Sequence, residues 1–298
     1  MTSNDAGLAT PDWPLSNGQV FPKMVGNLFW EHGHRMVATT VGMLTIALVC
    51  WMHWGVFRSW LSRRGLLKAT DNFGGEERPW VRRLSLVALG AVIAQGLLGG
   101  LTVKLMLPLA VSSAHATLAQ LFFCTMVSLS VFTSRGWQED RRVFTEKGSL
   151  PLRHLTVAAT ITILLQLVLG ATLRHSAPWD RFLPTELVVA HIVGAVAVAV
   201  ILSSSSLMVL RRYGSESYLA KPAMLAVGLL VLQLFLGVAA YLTRRTSPFD
   251  PQPLNPMIGI TVAHVACGAL VFATTIVLTL RVFRTVRASE PAFKLAPV

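Results

Sequence analysis

Long apolar stretches separated by short polar segments dominate the chain. Each stretch runs for about 20 residues without a charged side chain, which is the length that a helix needs to cross a hydrocarbon core roughly 30 Å thick. Helices are the only structure that fits, because an open backbone in lipid leaves its polar groups unpaired. The pattern predicts seven membrane-spanning helices, at 36–57, 84–103, 113–133, 155–173, 187–210, 223–242 and 257–280.

The composition agrees with this pattern. Hydrophobic residues make up 53% of the chain and charged residues only 13%, whereas soluble proteins carry about a quarter charged residues. The predicted fold class is therefore an all-α, polytopic membrane helical bundle. All three cysteines, Cys50, Cys124 and Cys267, fall within predicted helices, so we expect no disulfide framework.

The distribution of the basic residues orients the bundle. The connections after the first, third and fifth segments, together with the C-terminal tail, hold 19 of the 26 Lys and Arg residues. Cytoplasmic loops carry such an excess, so we expect a multi-pass protein of the cell membrane with its N-terminus outside and its C-terminus in the cytoplasm. The net charge of +12 is then a topology signal and does not indicate nucleic-acid binding.

Two polar motifs alternate along the seven segments. The second, fourth and sixth segments carry a glutamine followed four residues later by a glycine, and the other four have a histidine at or near the outer end. The residues are Gln95 and Gly99, Gln166 and Gly170, Gln233 and Gly237, and then His34, His115, His191 and His264. The alternation indicates a duplicated unit, with an N-terminal half-bundle at 1–150 and a C-terminal half-bundle at 151–298.

Alignment of the two halves leaves the fourth segment without a counterpart in the N-terminal half. The outer loop at 177–184, which follows that segment, matches residues 10–15 before the first segment. The chain thus begins where a preceding helix would have ended. We therefore predict that the first helix of an eight-helix plan is missing, through a misplaced start or true loss.

Four histidines at one depth, one on every second helix, point to a function. Polar groups inside a membrane bundle are costly and are usually paired or functional, although a single such histidine is more often a hydrogen-bonded packing residue. Imidazoles on facing helices are good ligands for haem iron. The repeat pairs His34 with His115 and His191 with His264, which predicts two haem sites. His53, His154 and His175 are expected at an interface or in solvent, and His32 on another face of its helix.

One acidic residue distinguishes the two predicted sites. Glu31 lies three residues before His34 and so shares its helix face, whereas Val188 holds the equivalent position before His191. A carboxylate beside one haem suits proton handling or the stabilisation of positive charge at a reacting carbon. The alternative is an interfacial glutamate that caps the first helix.

Arginines cluster near the histidines on the outer side. Guanidinium groups suit haem propionates because their forked donors match a carboxylate, although interfacial anchoring explains any one of them equally well. The outer-face arginines are Arg35, Arg174, Arg181, Arg244 and Arg245.

The motifs together resemble the haem A synthase family over nearly the whole chain. The resemblance rests on residues 6–8 running into 11–15, on Glu31-x-x-His34-Arg35, on the Gly-Gly-Leu-Thr-Val run at 99–103, on His115 and on the segment 263–269 around His264. It implies an eight-helix bundle of two four-helix halves. Many members have a cysteine pair in the first outer loop, where this chain has Ser16 and no cysteine.

The resemblance also implies an activity and its residues. The family oxidises a ring methyl group of haem O to a formyl group, which gives haem A. By this likeness Glu31 is the catalytic carboxylate, and His34 and His115 flank the substrate haem. His191 and His264 would hold a haem b that relays electrons to an acceptor. A haem O synthase is the expected partner.

Two other classes of protein compete with this interpretation. A membrane cytochrome b without haem-modifying activity explains the four histidines equally well. It does not explain the single glutamate, and it would place its ligands at both faces of the membrane to move charge between them. A transporter is the third class, but no pair of broken, charged helices marks a midplane substrate site.

Overall fold

A computed structural model describes residues 7–64, 78–139, 142–146, 151–176, 183–245 and 255–288. Within these ranges the chain forms seven long helices, one short helix and two short strands. In chain order they are α1 (Asn27–Arg63), α2 (Pro79–Lys104), α3 (Leu109–Thr133), α4 (Arg135–Glu139), β1 (Phe144–Glu146), α5 (Leu152–His175), α6 (Thr185–Tyr213), α7 (Ser217–Arg245), α8 (Asn255–Thr285) and β2 (Val286–Ala288).

All seven predicted spans are confirmed as helices long and apolar enough to cross a membrane. The helices extend past the apolar segments at most ends. The largest extension is in α1, which begins nine residues before the apolar segment and is 37 residues, or roughly 55 Å, long. Hydropathy locates the part of a helix that suits lipid, whereas polar residues such as Glu31 continue the same hydrogen-bonded helix beyond it.

The C-terminal half is a closed bundle of four helices. Helices α5, α6, α7 and α8 each pack on the next, and α8 packs back on α5. Its core is built from small and branched side chains, of which Ala159, Leu202 and Ala226 are fully buried. Small residues allow helix backbones to approach closely where lipid gives no hydrophobic driving force between helices.

The N-terminal half is more open in the described part of the chain. Helix α1 packs on α2 and α2 on α3, but α1 makes no comparably close contact with α3. A small cluster that includes Met52, Val81, Ala88 and Leu129 joins the three helices. Helix α3 then packs on both α5 and α8 and so connects the two halves.

Two short strands join the segment after α4 to the end of α8. Strand β1 pairs in parallel with β2, with Phe144 opposite Val286. Beside them Arg142 forms an ion pair with Glu216 at 2.7 Å, just before α7. This sheet was not predicted from the sequence, because three-residue strands leave no periodicity to detect.

Residues 7–26 form an ordered segment over the opposite, histidine-bearing ends of the helices. Backbone N–H groups of Gly18 and Asn17 donate to the Asp12 carboxylate at 2.8 and 2.9 Å and lower the pKa of that group. The Trp13 ring lies so close to Gly100 on α2 that a Cβ atom there would be 2.6 Å from it. The segment therefore packs directly on the bundle.

Replacing Gly100 with alanine is expected to loosen this segment, because the added methyl group collides with the Trp13 ring. Overpacking of this kind costs about 1–3 kcal/mol. Limited trypsin digestion in detergent should then cleave at the exposed Lys23 faster than in the parent protein. The control is Gly96→Ala, one turn earlier on α2, where no neighbour lies within 4 Å. Equal cleavage of the two variants would contradict the prediction.

Candidate functional site

Four helices place a histidine at nearly the same distance from their N-terminal ends. His34, His115, His191 and His264 follow the first residues of α1, α3, α6 and α8 by 7, 6, 6 and 9 positions. At 1.5 Å per residue, these side chains lie roughly 9–14 Å into their helices. The alternating helices that carry them all begin on the side of the bundle covered by residues 7–26.

Three of the four histidines share one local arrangement. The Cε1 atoms of His115, His191 and His264 lie 3.0–3.1 Å from the position that a Cβ atom would take at Gly99, Gly170 and Gly237, respectively. The preceding glutamine on the same helix as each glycine, Gln95, Gln166 or Gln233, has its amide nitrogen 3.1–3.4 Å from a nitrogen of the ring. The glutamines were expected to form interhelical hydrogen bonds, and the histidines are their partners.

His191 and His264 face one another across the C-terminal bundle. Their ring centroids are 6.4 Å apart and the ring planes meet at 71°. A metal–imidazole bond is about 2 Å long, so two imidazoles on opposite sides of one ion have centroids roughly 6 Å apart. The pair therefore has the spacing that a single iron between the two rings requires.

His34 and His115 are neighbours in the N-terminal half. The two rings are close enough to interact electrostatically, and His115 is half-buried whereas His34 is exposed. His175, expected in a solvated loop, is instead the last residue of α5, is half-buried and interacts with His115. The prediction placed His175 in a loop because the fourth apolar segment ends at residue 173, before the last residues of α5.

Glu31 is completely buried beneath the N-terminal segment. Its carboxylate accepts hydrogen bonds from the backbone N–H of Thr10 at 3.1 Å and from the Thr10 hydroxyl at 3.3 Å, and it forms an ion pair with Arg35. Helix α1 is capped by Gly26, with no side-chain cap. Glu31 therefore does not cap the helix and is instead the centre of a buried polar cluster.

The donor set fits haem better than a bare metal ion. Within the described residues no group of three or more His, Cys, Asp or Glu side chains could hold an ion alone. Haem iron needs only one or two axial ligands from the protein, and histidine pairs provide them. The rings of His115, His191 and His264 pack against the helix backbone at Gly99, Gly170 and Gly237, where a side chain would collide with them.

Comparison with known proteins gives one match. A family model described as cytochrome oxidase assembly protein matches residues 24–178. The chain belongs to this family. The family is that of the haem A synthases, so the protein has a role in cytochrome oxidase assembly and haem A synthesis, which implies an oxidoreductase. No curated protein and no solved structure matches the chain.

The matched region of the cytochrome oxidase assembly protein family covers α1 to α5 and includes Glu31, His34 and His115. Ser16 is fully buried with its hydroxyl 3.0 Å from Nδ1 of His32. A second contact joins the Ser16 hydroxyl to Arg35 at 3.2 Å. The three cysteines are free thiols, as the sequence predicted.

The arginines expected near the haem propionates fall into three groups. Arg174 and Arg244 are half-buried at the ends of α5 and α7, and Arg174 interacts with both Arg244 and His264. Arg35 donates to Glu31, Thr10, Ser16 and the Leu15 carbonyl, so its donors serve the buried cluster. Arg181 and the side chain of Arg245 lie outside the described residues.

The remaining histidines lie away from the four central ones. His53 contacts the Val49 carbonyl one turn earlier on α1 at 3.0 Å and is half-buried. His154 is exposed in the first turn of α5. His32 is buried, but Nε2 has no hydrogen-bond partner in the described part of the chain.

Replacing Arg35 with glutamine should destabilise the protein strongly, because it leaves the Glu31 carboxylate buried without its counter-charge. Breaking such a pair costs about 3–5 kcal/mol, so thermal unfolding in detergent should occur at a clearly lower temperature. The double variant Glu31→Gln/Arg35→Gln should recover part of the loss. Arg142→Gln is the control, because that pair is exposed and worth at most about 1 kcal/mol. Similar losses in Arg35→Gln and Arg142→Gln would contradict this account.

Proposed function

We propose that the protein oxidises a ring methyl group of haem O to a formyl group in its N-terminal half. The observation that carries the proposal is the difference between the two sites: each has a pair of histidines, but among the described residues only the N-terminal site has a buried carboxylate. Val188 occupies the position of Glu31 in the second half. Membership of the cytochrome oxidase assembly protein family supports the same assignment.

In this proposal His34 and His115 bind the substrate haem O between α1, α2 and α3. Residues 7–26 cover that end of the bundle, with Ser16 buried and the Trp13 ring against α2. Such a cover separates the site from bulk solvent. It also strengthens the field of any charge beneath it, because the local dielectric constant is low.

Glu31 is the proposed catalytic residue. Oxidation of a methyl carbon develops positive charge, which a fixed carboxylate stabilises, or relieves by taking a proton. Arg35 and Thr10 hold the carboxylate in one orientation. A group that is preorganised in this way does not have to reorient as charge develops.

In this proposal the electrons removed from the substrate leave through the C-terminal half. Conversion of a methyl to a formyl group, with water as the source of the oxygen atom, releases four electrons and four protons, and His191 and His264 have the spacing to hold a resident haem b that would take the electrons. A haem b bound there would supply one-electron transfer to an acceptor. Arg174 and Arg244 would bind its propionates, since two guanidinium groups near one another suit a pair of carboxylates.

We place the histidine-bearing ends on the outer side of the cell membrane, with the N-terminus outside and the C-terminus in the cytoplasm. The support is the basic excess at the opposite ends of the helices. Substrate haem O would come from a haem O synthase in the same membrane. An electron acceptor would take up the electrons that leave the second site.

Co-expression with a haem O synthase, followed by chromatography of the extracted haems, tests the proposal. The parent chain should yield haem A, whereas Glu31→Gln should retain bound haem but form at least about 100-fold less formyl product, as expected when an electrostatic group acting on the transition state is removed. Glu186→Gln is the control, because this exposed glutamate lies in the first turn of α6.

Two results would overturn the proposal. Full turnover by Glu31→Gln would remove the carboxylate from the mechanism. Haem B and unconverted haem O alone, from a parent chain that binds haem at both sites, would favour the membrane cytochrome b.

A further inference from the structure

A cleft follows one face of α3 between the two halves of the bundle. Its outer part, of about 530 Å³, is bordered by α2 and α5, and its inner part, of about 290 Å³, by α2 and α8. The walls of the inner part are Leu84 of α2, Ile276 of α8 and a stripe of α3 from Leu121 to Phe132. We call this part, which lies nearer the helix ends opposite the four histidines, the inner cleft.

The inner cleft has the length and the lining that suit an acyl chain of one membrane leaflet. Leu121 to Phe132 covers eleven positions, or roughly 16 Å at 1.5 Å per residue, which is about half of a hydrocarbon core roughly 30 Å thick. The hydroxyl groups of Thr125 and Ser128 donate to carbonyls of the preceding turn of α3. An apolar chain can therefore cover them without leaving a donor unpaired.

A row of aromatic rings closes the end of the inner cleft that lies farthest from the histidines. The Phe132 ring contacts Trp80 at the start of α2 and Trp137 of α4, with centroid distances of 4.6 and 5.0 Å. Tryptophan is enriched where the hydrocarbon core meets the lipid headgroups. This end of the inner cleft therefore lies at the level of the headgroups.

Two arginines beside this row have no acidic partner in the part of the chain that the structure describes. The Arg284 guanidinium lies over the Trp137 ring at 5.0 Å, and its Nε atom is buried without a hydrogen-bond partner there. Arg281, one turn earlier on α8, lies over the Tyr218 ring at 4.4 Å and donates to the Tyr218 carbonyl at 2.8 Å. Buried polar groups are normally paired, so this end of the inner cleft suits an anionic group.

We propose that the inner cleft binds a phospholipid with an anionic headgroup. Its acyl chain fills the space between Leu84 and Ile276, and its phosphate oxygens accept hydrogen bonds from Arg284, with the charge of Arg281 nearby. The forked donors of a guanidinium match phosphate oxygens, and basic pockets between membrane helices bind anionic headgroups. In the orientation proposed above, the lipid belongs to the cytoplasmic leaflet. The proposal is independent of the haem chemistry.

A lipid at this position contacts both halves of the bundle. Helix α2 packs closely on α1 and α3, and the inner cleft separates it from α8. An acyl chain in the cleft has α2 on one side and α8 on the other. Because a ligand that binds only the folded state stabilises it, an anionic phospholipid should raise the thermal unfolding temperature of the protein.

Native mass spectrometry of the full chain in dodecyl maltoside measures the binding of phosphatidylglycerol and of phosphatidylcholine. The parent chain should bind phosphatidylglycerol about 10-fold more tightly, because two arginines attract the net negative charge of its headgroup. Arg284→Gln should weaken that binding by about 10-fold or more, the effect of losing a hydrogen bond to a charged group. The control is Arg211→Gln, which removes the same charge from an exposed residue in the last turn of α6, away from the cleft.

Filling the inner cleft tests the position of the acyl chain. Ser128→Phe places a ring in the space that the chain occupies and should abolish the preference for phosphatidylglycerol. Ser130→Phe is the matched control, because this exposed residue of α3 does not line the cleft. Thermal unfolding without added lipid identifies any variant that fails to fold, and the two variants test the headgroup and the chain separately.

Three results would overturn the proposal. The first is equal affinity of the parent chain for the two lipids. The second is parent-like binding of phosphatidylglycerol by Arg284→Gln or by Ser128→Phe. The third is an equal rise in unfolding temperature with inorganic phosphate alone, which would indicate an anion site that does not need a lipid.

Discussion

The inability of hydrocarbon to form hydrogen bonds governs the structure. Backbone groups are satisfied within seven long helices, and the polar side chains that enter the bundle are found in partnerships between elements. The glutamines meet the histidines of the following helix, and Glu31 meets Arg35 and Thr10. In water each of these groups could be solvated separately. In the bundle each of these contacts also fixes the position of a side chain. The lack of hydrogen-bond partners in lipid makes these polar groups costly, and for the same reason it holds them against their protein partners.

The sequence was sufficient for features that depend on local pattern. Apolar length predicted all seven membrane-spanning helices. Features created by contacts between distant parts of the chain could not be read in this way. The burial of Glu31 depends on Thr10, which is 21 positions earlier, and His175 is half-buried although it is the last residue of α5. The glutamines were correctly expected to bridge helices, but only the folded bundle identifies the histidines as their partners.

The two halves show how one unit can diverge while its helices stay similar. In the C-terminal half α5 closes the ring of helices and carries Gln166 and Gly170, which contact the ring of His191. The described N-terminal half has three membrane helices, and a short polar segment lies over their ends. That segment supplies Thr10 and Ser16 to the buried cluster around Glu31. Val188 holds the position of Glu31 in the C-terminal half, so the two histidine pairs differ in the residue one turn before the first ligand.

The small parallel sheet between β1 and β2 has a mechanical consequence. The halves meet within the membrane mainly through α3, against α5 and α8, an arrangement that alone would permit rotation about the α3 axis. The strand pairing ties the segment after α4 to the end of α8 at three residue positions. Rotation of one half relative to the other would have to break the strand pairing or move both strands together. The sheet thus adds a second connection between the two parts of the bundle, beyond the C-terminal end of α8 and far along that helix from His264.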